Sequence, residues 1–259
     1  MKIVIPIAGR GSRFKKVAHL NPEYLKPKPF INVKGYPMVR WATGSLPFVL
    51  HKNQKRSKYH VVTGKDIVFV ALEEHEKEFG ISKELQIIYG ADVNIVFIPE
   101  VTRGAAETVL LAKDYINNEE SLLISDSDHF IDGNAVMTGI QTYADIDGII
   151  PVFHSNDPKW SFSRVNKDGY VDLVAEKQPV SEWANIGAYY FRRGKDFIQG
   201  IEEMIKNNEL TNNEFYVAPV YNKLIEKGMK IKLVVPKYVY GLGTPDDLEY
   251  FIKSTHFVL

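Results

Sequence analysis

Three short stretches of the chain carry residues suited to handling phosphate. In "MKIVIPIAGRGSRF", Gly9 and Gly11 follow an apolar run and alternate with Arg10 and Arg13. Glycine lets backbone N–H groups approach an anion closely, and the arginine fork matches paired phosphate oxygens. The spacing is not the dinucleotide G-x-G-x-x-G, because residue 14 is Phe, and no Gly-Lys-Ser/Thr follows to make a P-loop. In "YLKPKPFINVKGYPMV" (24–39), Lys26 and Lys28 sit in an extended stretch flanked by prolines, an odd choice for a merely solvated loop. In "LLISDSDHF" (122–130), Asp126 and Asp128 are one residue apart at the end of an apolar run. Strand alternation would send both carboxylates to one face. Paired hard oxygens there suit Mg²⁺ that also coordinates phosphates. His129 reads as a packed or pocket-wall residue.

Positioning these groups requires a sheet. Lys2–Ile7 reads as a strand, whereas Ala8 to Phe14 read as neither strand nor helix. A helix is expected from Pro37 to about Leu50. Strands are expected at Asp66–Leu72, Asn94–Pro99 and Ser121–Ser125, with a helix over Gly104–Ile116. Such β-α-β order implies a mainly parallel sheet with right-handed crossovers. The second half reads differently: strands at Asp147–Phe153, Phe162–Val165, Tyr170–Glu176 and Asn185–Phe191, separated by turn residues such as those of "NKDG" (166–169). Helices at Lys195–Lys206 and Glu214–Lys227, a strand at Lys230–Val235 and a helix at Pro245–Lys253 complete the chain. Thr244-Pro245-Asp246-Asp247 makes a good helix start: an N-cap, then proline at the first position, then acids in the first turn. No repeat or linker interrupts the sequence. It reads as one domain over 1–259, with a nucleotide half at about 1–130 and an acceptor half at about 131–259.

Composition is that of an ordinary globular protein, 45% hydrophobic and 25% charged. No apolar run approaches the roughly 18 residues of a membrane helix, and the five-residue apolar start looks like a core strand rather than a signal peptide. With no Cys, disulfides and thiolate metal sites are excluded. The expected setting is cytoplasmic, with no membrane partner. Net charge is zero but uneven: residues 1–60 hold nine Lys and four Arg against one acid, Glu23. That asymmetry points to a polyanion near the N-terminal segment. The pI of about 7.1 and the lack of a basic stripe elsewhere argue against nucleic acid and for a small polyphosphate. The run "HKNQKRSKYH" (51–60) reads as a solvated basic loop.

"AGRGSRF" followed by "PKPFINVKGYPMV" resembles the signature of the sugar-phosphate nucleotidyltransferases, and weaker matches extend over almost the whole chain. The resemblance implies a Rossmann-like, three-layer α/β/α fold with a mainly parallel mixed central sheet, the GT-A-like nucleotidyltransferase arrangement. It implies that Ala8, Gly9, Gly11, Ser12 and Arg13 wrap the triphosphate, with Arg13 on the β- and γ-phosphates. Lys28 then stabilises charge at the α-phosphate, with Lys26 competing for that role. "TRGAAETVLLAKDYI" (102–116) resembles the loop and helix that seat the nucleobase on Gly104 and Ala105, with Thr108 or Glu107 reading its edge. An acid near Asp128 binds the catalytic metal in this family; Asp128 aligns best and Asp126 second. "DLVAEKQPVSEWANIGAYYF" (172–191) resembles the acceptor site. There Glu176 accepts from sugar hydroxyls, Lys177 pairs with the acceptor phosphate, Gly187 makes room and Asn185 lines the pocket; Trp160, Ser161, Trp183 and Tyr216 are further candidates. The sequence departs from the family at "VYGLGTPDDL", where Gly241 stands in place of a second metal-binding Asp. Asp246 or Asp247 is left to substitute or simply to start the helix.

The reaction implied joins a nucleoside triphosphate to a phosphorylated acceptor, a sugar 1-phosphate, and releases pyrophosphate in an Mg²⁺-dependent step. The NDP-sugar product suits surface polysaccharide or capsule synthesis. A cytidylyltransferase acting on an alcohol phosphate is the nearest alternative. A GT-A glycosyltransferase shares the Asp-x-Asp and the nucleotide, but has little use for the arginine loop or the Pro-Lys-Pro lysine. A non-catalytic nucleotide-binding subunit is kept open by Gly241. Base, acceptor and oligomeric state are not legible.

Overall fold

The computed structural model describes residues 1–55, 59, 61–143, 145–254 and 257. Positions 56–58 and 60 of the basic run therefore lie outside the described residues. The fold is of the expected α/β class, a mixed sheet with helices on both sides. The chain divides into two compact units, each built from three segments, and passes from one to the other within its first strand, Lys2–Pro6.

One unit comprises Met1–Val4, Thr102–Ser125 and Asn134–Pro236. Its strands run in the order Val171–Glu176, Ser161–Val165, Trp183–Asn185, Gly148–His154, Ala188–Phe191, Leu122–Ser125 and the start of the first strand. The first strand is parallel to its neighbour in the register Lys2↔Leu122 and Val4↔Ile124. The others are antiparallel, except that Ile231–Val234 lies parallel along Gly148–His154. Tyr221 stacks on Phe191 with ring centroids 4.4 Å apart, and its buried hydroxyl donates to the carbonyls of Tyr190 and Ile149.

Several elements here shift by a single residue, the helix Asn134–Thr142 was not expected, and three elements differ more from expectation. The helix expected over 104–116 is two, Ala105–Leu110 and Lys113–Ile116, because Leu111 and Ala112 bond three residues back and tighten the turn. The strand expected over 185–191 breaks at Ile186-Gly187. The helix expected from Glu214 begins only at Val220. Pro219 supplies no N–H, and the backbone of Phe215 is committed to Arg103 and Ala106.

The other unit comprises Ile5–Val101, Asp126–Gly133 and Lys237–Leu259. Ile67–Leu72, buried at every position, is parallel to Asn94–Ile98, and the Ile7 amide bonds the Val70 carbonyl alongside. Helices Glu73–Phe79 and Ile81–Tyr89 follow, neither marked in the sequence. A small antiparallel pair, His129–Ile131 with Val239–Gly241, carries the chain past the acidic segment. Beneath it Phe14, Tyr24, Ile31, Val33, Met38, Trp41, Phe130, Leu242, Leu248 and Phe251 form one buried cluster. Trp41 meets Phe130 and Phe251 edge-on and donates from its indole to the Val33 carbonyl, so its polar atom is satisfied at no loss of apolar burial. The helix expected from Pro37 to Leu50 stops at Gly44. No helix among the described residues is long and apolar enough to cross a membrane.

Candidate active site

Within the second unit the glycine loop leaves the first strand and turns into a single helical turn, Ser12–Lys15, where no helix was expected. Gly11, at φ +64°, sits in the left-handed region that favours glycine. A side chain there would begin 3.5 Å from the Lys28 Cβ, so loop and lysine pack side by side. Ala8 is buried, while Gly9 faces open space and Ser12 and Arg13 are exposed. Arg10 is tied to Glu74 at 3.4 Å.

The two lysines of the Pro-Lys-Pro segment part company. Lys26 bonds the Glu23 carboxylate, three residues back, at 2.8 and 2.9 Å. Asn21 caps that short turn by accepting from the Glu23 amide. Lys28 instead reaches across 100 residues of sequence to Asp128, with Nζ 2.7 Å from Oδ2. Burial works to raise the Asp128 carboxyl, but the charge and hydrogen bond of Lys28 outweigh it, with smaller help from His129 and Arg13, and hold it below its usual range.

The strand Leu122–Ser125 ends before the two aspartates, so alternation along a strand does not aim them. A bend brings them together all the same. Asp126, Asp128 and His129 each offer a ligand atom, all within 4.8 Å of one another. Burial pulls the His129 imidazole down to about 4 despite the neighbouring Asp128 charge, leaving a neutral ring with a lone pair near pH 7. The two carboxylates are the hard oxygen donors that fit a divalent cation such as Mg²⁺. Asp128 is further fixed from the C-terminal segment: its carbonyl accepts from the Leu242 amide at 2.7 Å, and its carboxylate fills the space a side chain at Gly243 would need. In the sequence Gly243 stood only within the run "VYGLGTPDDL", with no role of its own.

Gly241 leaves the expected second acid absent, and the Asp247 carboxylate stands 3.6 Å from where a Cβ at 241 would be. Asp247 is engaged with Thr244, accepting from its hydroxyl at 2.7 Å while its amide donates back at 3.2 Å. That reciprocal bond is the helix start foreseen for Thr244. Asp246 is exposed.

The other unit holds the remaining candidates. Gly104, at φ +138°, lies so close to Phe215 that a Cβ would stand 2.5 Å from its carbonyl oxygen. The two residues named for reading a base edge are both occupied within the loop. The buried Thr108 hydroxyl contacts Thr102 and the Gly104 carbonyl, and the Glu107 carboxylate accepts from the Arg103 amide and guanidinium. Ala105 opens the helix that follows.

Glu176 ends its strand opposite Ser161. Burial pushes its carboxyl up to about 7, with Glu214 adding to the effect and Lys177 opposing it. Lys177 takes a left-handed φ of 55° and donates to the Tyr216 hydroxyl at 2.5 Å. Asn185, 2% exposed, accepts from the Ser163 hydroxyl at 2.7 Å, while its buried amide nitrogen has no partner among the described residues. Gly187 lies in the break between two strands. Trp160 packs edge-on to Phe153, and Trp183 lies against His154.

The chain is similar over 96% of its length to 99% of the nucleoside-diphosphate-sugar pyrophosphorylase from Vibrio cholerae RC9, at 26% identity and a TM-score of 0.75. The inositol-1-phosphate CTP transferase from T. maritima shares the fold at a TM-score of 0.69 and 16% identity, over 99% of this chain and 98% of the other. No curated protein sequence matches the chain significantly. The nucleotidyl transferase family model matches residues 37–251, and the chain belongs to that family.

Proposed function

We propose that the protein transfers a nucleoside monophosphate from a nucleoside triphosphate to a sugar 1-phosphate, yielding an NDP-sugar and pyrophosphate. One observation carries this reading: Lys28 and Asp128 meet at 2.7 Å beside the Gly9–Arg13 loop, a cation and an acid converging where a triphosphate loop begins. The acceptor phosphate oxygen attacks the α-phosphorus in line. The α–β phosphoanhydride bond breaks, and its electron pair leaves with pyrophosphate. No protein nucleophile is required.

The chain's own work is positioning and charge neutralisation. Loop amides at Gly9 and Gly11 cradle phosphate, Arg13 holds the β- and γ-phosphates, and Lys28 meets charge developing on the α-phosphate. Asp128 orients Lys28 through their hydrogen bond. Asp126 and Asp128 would hold Mg²⁺, which when bound neutralises phosphate oxygens and helps align them. In the other unit Gly104 and Ala105 seat the base, and Glu176, Lys177 and Asn185 take the acceptor. The Vibrio cholerae relative, a nucleoside-diphosphate-sugar pyrophosphorylase, supports the sugar class. The product would serve surface polysaccharide synthesis, in the cytoplasm where nucleoside triphosphates are made.

The test is pyrophosphate release from each ribonucleoside triphosphate and dTTP against a panel of sugar and alcohol phosphates, with Mg²⁺ and with EDTA. Release needing one base, one sugar 1-phosphate and the metal is expected. Release only with an alcohol phosphate would reassign the acceptor, and release undiminished by EDTA would remove the metal from the account.

A further inference from the structure

We infer that Tyr216 is a positioning residue for Lys177, and that it fixes the acceptor-binding ammonium relative to the Gly104 loop. This rests on the reading of Lys177 as the acceptor-phosphate ligand. Lysine is a flexible four-carbon stem, and ordering it on a ligand costs rotamer entropy unless something orders it beforehand. Here the ordering is visible at both ends. The Lys177 backbone is held in the left-handed region, with its amide donating to the Trp160 carbonyl at 3.0 Å. The ammonium donates to the Tyr216 hydroxyl at 2.5 Å and lies 4.8 Å from the centre of the Tyr216 ring.

The identity of that partner matters. Glu176 and Glu214 are close enough to act on Lys177 electrostatically, yet among the described residues no carboxylate reaches ion-pair distance of it. The phenol accepts one N–H from the ammonium, and its hydroxyl also hydrogen-bonds the Glu214 carboxylate. Two ammonium donors remain for a phosphate.

Tyr216 is itself anchored by its neighbour. The Phe215 amide donates to the Arg103 carbonyl at 2.7 Å, and its carbonyl accepts from the Ala106 amide at 3.0 Å. The Arg103 guanidinium covers the Phe215 ring at 4.9 Å. Gly104 permits this approach because any side chain there would strike the Phe215 backbone. The short run Phe215-Tyr216 thus joins the loop read as the nucleobase seat to the lysine read as the acceptor ligand. It also explains why this segment is not helical.

The experiment is steady-state pyrophosphate release by wild type, Tyr216→Phe, Lys177→Ala and the double variant, with melting curves alongside. Tyr216→Phe keeps the ring and its packing but removes the acceptor oxygen. Its acceptor KM should rise about three- to tenfold, the size expected for one exposed charge-assisted hydrogen bond, with kcat, triphosphate KM and melting temperature nearly unchanged. Added to Lys177→Ala, it should raise acceptor KM no further. An unchanged acceptor KM, or an effect fully additive with Lys177→Ala, would overturn the positioning role while leaving the transferase reading intact. Wild type that releases no pyrophosphate with any acceptor would instead overturn that reading, and this inference with it.

Discussion

The Asp128 carboxylate occupies the space in which a side chain at Gly243 would start. The oxygen nearest that position, Oδ2, is the same one that accepts from Lys28 at 2.7 Å, so it cannot step aside without disturbing that bond. Gly243→Ala should therefore displace Asp128 and Lys28 together. A misplacement near 1 Å in a phosphoryl-transfer site costs about 10–100-fold in rate. We expect kcat for pyrophosphate release to fall by about that much, with a melting temperature close to wild type. Full activity in Gly243→Ala would show that the position of Asp128 is not critical.

Removing Lys28 should cost stability in a pH-dependent way. The Asp128 carboxyl is lower in the folded protein than in the unfolded chain, where it is near 3.8. The stabilisation is therefore present above that value and lost as pH falls through the folded one. In Lys28→Met the burial of Asp128 is no longer offset by the lysine. The variant should be less stable than wild type by about 1–3 kcal/mol at pH 7, with the gap closing below about pH 4. Adding Asp128→Asn should recover part of the loss at neutral pH. Denaturant melts across that range decide it, and a gap independent of pH would argue against the pair.

How far these residues could be read beforehand follows from range. Ile67–Leu72 is apolar at every position and buried at every position, so local pattern and structure agree. The helix Glu73–Phe79 was not legible, because its charged run "EEHEKEF" buries only His75 and shows no apolar stripe. Asp126 and Asp128 were singled out by type and spacing, though a bend rather than strand alternation brings them together. What escaped reading was contact between distant segments: Lys28 rather than Lys26 on Asp128, Gly243 beneath the same carboxylate, and Phe215 holding Gly104. No periodicity encodes a pairing across 100 residues.

Glu176 gives a second pH signature, of opposite sign. Its carboxyl is raised from 4.5 to about 7 by burial, so the folded state holds a proton the unfolded chain has lost between those values. Wild-type stability should decline as pH rises from about 4.5 to about 7 and level off above. Glu176→Gln, neutral throughout, should escape the decline. Its melting temperature relative to wild type should be higher at pH 8 than at pH 5 by about 2–6 °C. An equal difference at both pH values would mean that Glu176 ionises freely.

The central claim is that an α-phosphate passes to a phosphorylated acceptor beside Lys28 and Asp128. The most direct measurement is ³¹P NMR of a mixture of triphosphate, acceptor phosphate, Mg²⁺ and protein. The account predicts pyrophosphate and a coupled pair of diphosphate-ester resonances appearing in equal amounts, and neither with Lys28→Met. Triphosphate bound tightly without any new phosphorus signal, or a nucleoside diphosphate growing only when an NDP-sugar replaces the triphosphate in the sample, would contradict it.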